Sequence, residues 1–391
     1  MRILTINAGS SSLKAARYDM TGGERRTYAL EAERIGQSGG RLRVTRAAGE
    51  TLLDRRQALP DHAAALRAFV AWTEREGVPP PDAIGHRIVH GGRRHRDPEA
   101  LTEEVMADLD ALAPFDPDHL PQSLAVVRAA GEIHPGIPAF ACFDTAFHQT
   151  MPAVAESYPL PSKFAGDADI IRYGFHGLSC EYIVGALASI DPAAASGRVV
   201  IAHLGNGASL TAVRDGLSLD TTMGFTPTGG LVMGTRSGDL DPGVLLYLMR
   251  AKGLSADDVS RLVNHDAGLA GVSGLSGDMR DLLDRESADP RAARAIALFC
   301  YAARKFLGSL VAVLGGLDTL VFTGGIGEHA APIRARIASG FDFLGLDLDP
   351  ARNDRHEPVI SRDGSHVIVR VMPTNEDVVI ARHVRRLLAA S

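Results

Sequence analysis

Two arginines set among glycines are the first residues that could do chemistry. Arg87 lies in Gly85-His86-Arg87-Ile88-Val89-His90-Gly91-Gly92, and Arg236 in Gly234-Thr235-Arg236-Ser237-Gly238-Asp239. A planar guanidinium matches carboxylate or phosphoryl oxygens bidentately, and flanking glycines let a ligand approach. A structural ion pair is the competing reading for each. Asp144 follows the apolar residues 137–143, and Glu376 follows the strand-like residues 367–371. Carboxylates at strand ends suit a magnesium ion that keeps most of its waters, while an N-cap or turn role remains open for both. His176, in Tyr173-Gly174-Phe175-His176-Gly177, is either a donor to an anion or a satisfied core histidine. No His/Cys cluster has zinc spacing.

Three small-residue turns could hold phosphate. Asn7-Ala8-Gly9-Ser10-Ser11-Ser12 with Lys14 offers backbone N–H groups, hydroxyls and one ammonium. The same residues also suit a tight hairpin. His203-Leu204-Gly205-Asn206-Gly207 repeats the design, and Gly324-Gly325-Ile326-Gly327 reads as a glycine loop ahead of a helix. None matches GxxxxGK[ST], so a P-loop is excluded.

The elements that must position these residues alternate between strand and helix. Residues 3–18 and 199–214 both read as strand, turn, strand; a shift of 197 aligns Ser12, Leu13, Ala15 and Arg17 with Ser209, Leu210, Ala212 and Arg214. That suggests a duplicated, hairpin-led domain. Apolar periodicity predicts helices over 61–76, 103–112 and 242–252 and a strand over 319–323, hence an α/β protein. At 391 residues, 45% hydrophobic and 23% charged, the chain can fill two domains. The apolar residues 292–316 are interrupted by Arg294, Arg304 and Lys305, which predicts a buried amphipathic helix and no membrane association. Residues 1–6 show no secretion signal, and Cys142, Cys180 and Cys300 form no CxxC pair, so reduced thiols in a cytoplasm are expected. The net charge of -6 gives no basic footprint for nucleic acid.

Nine words, in order, carry a resemblance: NAGSSSLK, GHRIVHGG, FDTAFHQTMP, RYGFHG, HLGNGASL, MGTRSGDLDPG, GLSGDMRD, FTGGIGE and PTNED. The chain thereby resembles the acetate and propionate kinase family. The resemblance implies two duplicated actin-like (ribonuclease H-like) α/β domains around a nucleotide cleft, with residues 1–146 plus 378–391 in one and 147–377 in the other. It also implies a homodimer that uses Mg²⁺, with Mn²⁺ able to substitute, and takes ATP or ADP with a short-chain carboxylate or acyl phosphate.

Carried over by position, Asn7, Ser10, Ser12 and Lys14 lie near the phosphates, and Asn7 and Glu376 serve the metal together with Asp144. Arg87 and Arg236 hold the carboxylate and the transferring phosphoryl group, and His176 and Arg236 stabilise the transition state. The rest of the ATP site is His203, Leu204, Gly205, Asn206, Gly207, Asp278, Met279, Arg280, Gly324, Gly325, Ile326, Gly327 and His329. Val89, Phe115, Phe175 and Pro227 hold the acyl tail.

Mechanism follows from the substrate. A carboxylic acid is already an anion at pH 7 and needs no general base; it needs charge neutralisation. A sugar kinase would need a carboxylate base, and a non-catalytic nucleotide-binding regulator would not need the two arginines. The chain departs from the family where PLHNPxxL becomes Pro114-Phe115-Asp116-Pro117-Asp118-His119-Leu120, one residue shorter, with Phe for Leu and the usual His absent. That change falls in the acyl pocket and bears on the choice among acetate, propionate and butyrate. Cys180 replaces a His, Thr228-Gly229 a Leu-Glu pair, and His329 an Asn.

Overall fold

Strands whose residues are apolar on both faces mark the centres of two sheets. In a computed structural model describing residues 1–9, 11–47, 49–165 and 170–390, β1 (Arg2–Ala8) is one of these, with Ile3, Leu4 and Ile6 all buried. The chain divides into Met1–Ala146 with Asn375–Ser391, and Phe147–Thr374. Because the returning segment begins at Asn375, Glu376 and Asp377 belong to the first unit.

In the first unit, β2 (Ser12–Asp19), β3 (Arg25–Glu33), β4 (Arg41–Arg46) and β5 (Thr51–Arg56) continue β1 as an antiparallel meander. On its other side β1 runs parallel to β6 (Ala83–Ile88), which runs parallel to β8 (Ala139–Phe143), and β7 (Glu99–Ala100) closes the edge. One face packs on α1 (His62–Arg75) and α2 (Leu120–Ile133) through Leu4, Ile6, Leu66, Phe69 and Val126. Asp61 accepts from the N–H of Ala64, so the helix expected over 61–76 starts at a side-chain cap. The last helix, Glu376–Ala390, covers the other face at Gly85, where an added Cβ would overlap the methyls of Ile380 and Val384. Gly85 therefore serves helix packing, not the approach of a ligand to Arg87.

The second unit repeats the plan. β9 (Arg198–Leu204), β10 (Ala208–Arg214) and β11 (Leu217–Thr221) are antiparallel, and β12 (Thr319–Thr323) and β13 (Ile368–Val371) follow β9 in parallel. The order β11-β10-β9-β12-β13 thus matches β3-β2-β1-β6-β8 of the first sheet. The hairpins correspond, but not in the 197-residue register. The last pairs are Ala8 with Leu13 and Leu204 with Ala208, so the second turn is one residue shorter.

Helix Pro290–Leu314 begins at the Asp289 cap and ends at Gly315 in left-handed backbone (φ 70°). It is long and apolar enough by composition to cross a membrane. Its stripe of Ala292, Ile296, Phe299, Ala303, Leu307, Leu310 and Leu314 is buried, as amphipathic spacing requires.

His86, on β6 between Ile6 and Ala141, is 1% exposed, and its Nε2 has no hydrogen-bond partner among the described residues. Burial pushes its pKa from 6.5 down to about 3. The stability it contributes is therefore complete above the unfolded value and declines as pH falls towards the folded one. Between pH 7 and pH 5 this one ring should account for a loss of about 2 kcal/mol. Urea titrations should show His86→Leu losing that much less stability than the unaltered chain over the interval; equal losses would rule the ring out.

Candidate active site

In the first unit, three parallel strands end side by side and the last helix begins beside them. Asn7 is near the end of β1, Arg87 near the end of β6, and Asp144 one residue beyond β8, where its N–H still pairs with the carbonyl of Ile88. Carboxyl ends of parallel strands are where open α/β sheets bind ligands. Arg87 Nη2 donates to Asp144 Oδ2 at 2.8 Å and Nη1 to Asn7 Oδ1 at 3.3 Å, with Nε 4.0 Å from Glu376 Oε2. Asn7 Nδ2 donates to Glu376 Oε2 at 3.0 Å. Four of the residues singled out by sequence are thus one hydrogen-bonded group.

Burial works against charge on Arg87, but Asp144 and then Glu376 outweigh it, and the guanidinium holds its proton more tightly than usual. Burial pushes Glu376 upward, opposed by Arg87 and by Lys14, which faces Asn7 across the first hairpin. Asp377, whose Oδ1 accepts from Thr5 Oγ1, is pushed up by burial to about 6. Ser12 closes its turn by accepting from the N–H of Gly9, and His62 bonds the Gly9 carbonyl at 2.7 Å. Ser10 lies outside the described residues. Val89 is buried, and the half-buried Phe115 ring sits 6.0 Å from that of His90.

The second unit gathers a different set. His176 has left-handed backbone (φ 59°) at the head of helix Gly177–Ile190. Its ring stacks on His203 at 4.2 Å. His176 Nδ1 bonds Ser209 Oγ at 2.9 Å and His203 Nδ1 bonds Ser179 Oγ at 2.8 Å, which leaves both Nε2 atoms on the other side. A Cβ on Gly207 would lie 3.2 Å from His176 Nε2 and 3.5 Å from Arg236 Nη1, so both cationic or donor groups edge that turn. Arg236 Nη1 also donates to the carbonyl of Pro227.

Backbone packing joins the other expected residues. Gly234 donates to the Asn206 carbonyl, and a Cβ there would overlap Asn206 Oδ1; Gly277, just before Asp278, abuts Gly234. Asp278 caps helix Met279–Arg285 by accepting from the N–H of Arg280, and the Met279 side chain is buried in the core. The glycine loop expected before a helix at 324–327 is itself helix, Gly324–His329. Gly324 (φ 77°) sits against the Leu204 carbonyl, and its N–H is already bonded to Glu328 Oε1. The backbone can start the helix directly because only a glycine fits that left-handed approach. Phe175 and Pro227 are buried in this unit.

Residues 2–382 match the family model described as the Acetokinase family. The chain belongs to this family. An acetate kinase of Methylocella silvestris is 44% identical over 400 residues, covering 99% of this chain and 98% of the relative. The crystal structure of Porphyromonas gingivalis acetate kinase superposes with a TM-score of 0.88 at 37% identity, covering 99% of each chain. That of a propionate kinase from Francisella tularensis gives 0.91 at 34%, covering 98% of each. Membership in the acetokinase family makes the protein a kinase with the duplicated α/β fold already described.

Several residues of this family member escaped the sequence reading because polar side chains carry no periodicity. Ser179 and Ser209 hold the two imidazoles, and Arg334 is one. Fully buried, it donates to the carbonyls of Gly327 and Glu328, to Asn353 Oδ1 and O, and to His356 Nδ1, clamping the glycine helix. His148, inside FDTAFHQTMP, is another. It is 0% exposed and spans from Ser218 Oγ (3.0 Å) to the Phe175 carbonyl (2.8 Å), so Nε2 must carry the proton. Gly174 (φ 74°) lets this ring in, since a Cβ would come within 2.7 Å of it. The ring therefore fixes the turn that aims His176. His148→Leu should lower kcat for phosphoryl transfer about tenfold, the worth of one buried hydrogen bond, with KM nearly constant. His148→Gln, which can donate to the same carbonyl, should recover most of it; equal loss in both would overturn the positioning role.

Proposed function

We propose that this protein is an acetate kinase, moving the γ-phosphoryl group of ATP reversibly to acetate to give acetyl phosphate and ADP. The observation that carries the reading is the pairing of cations with phosphate-sized turns in the absence of any need for a base. Arg87 stands among acids at the ends of β1, β6 and β8, and Arg236 edges the Gly205–Gly207 turn beside His176. Acetate arrives as an anion, so the chain's task is to hold it in line and neutralise charge on the equatorial oxygens. In this reading Arg87 orients the carboxylate, Arg236 and His176 meet the charge that develops in the transition state, and Val89, Phe115, Phe175 and Pro227 enclose the methyl end. Asn7, Ser10, Ser12, Lys14, the turn 203–207, residues 278–280 and the helix holding Gly324, Gly325, Ile326, Gly327 and His329 serve the nucleotide.

Magnesium, or manganese in its place, fits the donor set. Burial and then Asp144 raise the hold of Glu376 on a proton, Asn7 adds an amide oxygen, and all are hard ligands. When bound with ATP, the cation neutralises phosphate charge; Asn7, Asp144 and Glu376 are the residues that would hold it. Propionate or butyrate as substrate would keep every role and change only the acyl end.

The reading extends to a cytoplasmic homodimer. Cys142, Cys180 and Cys300 are buried thiols outside any disulfide. Helix Pro242–Lys252 buries none of its residues and leaves Val244, Leu246, Tyr247 and Met249 between 39% and 55% exposed, apolar surface suited to a second copy. Leu246→Glu with Tyr247→Glu should convert the sedimenting species from dimer to folded monomer, whereas an unaltered sedimentation coefficient would place the interface elsewhere.

Acyl phosphate trapped as hydroxamate from Mg-ATP with acetate, propionate and butyrate tests the activity directly. Acetate should give strong turnover, and Arg236→Ala should lower it at least a hundredfold with little change in unfolding midpoint. Full activity in that variant would refute the charge-neutralisation account; no product from any acid would refute the carboxylate kinase itself.

A further inference from the structure

The shortened loop after Phe115 carries a carboxylate that none of these roles uses. Asp116 is 4% exposed, and its Oδ1 is paired with His119 Nδ1 at 2.8 Å. Its backbone carbonyl accepts from the N–H of Leu120, the first residue of α2, which pins the loop to the helix. Oδ2 is sealed from solvent and has no hydrogen-bond partner among the described residues. A buried acceptor left unpaired is costly, so one facing a binding residue points to a partner that arrives with the ligand.

Asp116 lies within electrostatic reach of Arg87. Its neighbour Phe115 packs on His90, three residues beyond Arg87, with the rings 6.0 Å apart. His90 Nδ1 is taken by the N–H of Gly92, which sets that ring in place beside the loop. The charge of Asp116 is felt at both Arg87 and His90, where it favours the protonated form. Arg87 has an unsatisfied group of the opposite kind: Nε is buried without a hydrogen-bond acceptor among the described residues, its ion-pair oxygen on Glu376 being 4.0 Å away. One donor and one acceptor are therefore left over in the same neighbourhood. A plain alkanoate can satisfy only the donor. An acid with a hydroxyl on its short chain can offer a carboxylate oxygen to Arg87 and an O–H to Asp116.

We propose that Asp116 is a specificity-determining residue that tunes the acid site to short carboxylic acids bearing a hydroxyl group, Oδ2 accepting a hydrogen bond from that hydroxyl. The inference rests on the carboxylate kinase reading and narrows its substrate class. Sites built to bond a hydroxyl discriminate strongly against the analogue that lacks it, whereas an apolar pocket separates such isosteres weakly.

Glycolate and propionate make the test, because they differ by a hydroxyl in place of a methyl. With Mg-ATP and ADP release as the readout, kcat/KM for glycolate should exceed that for propionate at least tenfold in the unaltered protein. Asp116→Leu, which keeps the branch at Cγ without an acceptor, should bring the ratio to one or below. A ratio at or below one in the unaltered protein would overturn the proposal, and needs no variant to fold. A high ratio that survives Asp116→Leu in a protein with an unchanged circular dichroism spectrum would overturn the assignment to Asp116. Acetate run in parallel keeps the two failures apart, since loss of turnover with every acid sinks the kinase reading instead.

Discussion

A guanidinium held among carboxylates is the constraint on which the first unit depends. At 2.8 Å from Asp144 and 4.0 Å from Glu376, Arg87 interacts with each by several kcal/mol even at an effective dielectric of about 20. Removing it would leave two nearby acids in a largely buried place, and breaking such a pair costs about 3–5 kcal/mol. The group forms only if β1, β6 and β8 end in register and the last helix begins beside them. Gly85 is therefore as necessary as the charged residues, because it lets that helix lie on the sheet at the depth that brings Glu376 to Asn7. A resident pair of acids also gives this unit the character of a cation site, even though its own cation is an arginine.

The second unit solves a different problem, that of aiming two imidazoles and one guanidinium at a turn. Hydroxyls fix each imidazole through Nδ1, and the stack of His176 on His203 restricts rotation of both rings. Behind them, His148 braces the turn at Phe175, and Arg334 braces the glycine helix through carbonyl groups alone. Such second contacts hold these groups in fixed orientations, and fixed dipoles need little reorganisation to meet a charge. Both units share one strand order, yet the hairpin turns differ in length by a residue, so equivalent positions have been put to unequal use.

Much was legible in the residues alone. Apolar periodicity located helices within a residue or two, as with His62–Arg75 and Glu103–Ala111, because burial of one face dictates the spacing. The nine motif words located Asn7, Arg87, Asp144 and Glu376, which the fold joins, and His176, His203, Asn206 and Arg236, which it gathers around one turn. Small-residue words named the hairpin turns after Ala8 and Leu204, whereas at Gly324 helix replaces the expected loop.

What the sequence by itself determined was therefore composition of the site: which charged and polar groups are present, and at which strand ends or turns they fall. Only the tertiary structure decided what the neighbouring residues do. Glycines that could have made room for a ligand instead admit a helix at Gly85 and a histidine ring at Gly174, and Met279 turns into the core. The Asp116 carboxylate, one substitution among several in a shortened loop, becomes notable because one oxygen is paired and the other is not. The reason is physical: periodicity and motif spacing follow from local geometry, whereas hydrogen-bond satisfaction and close approach depend on atoms brought together from distant parts of the chain.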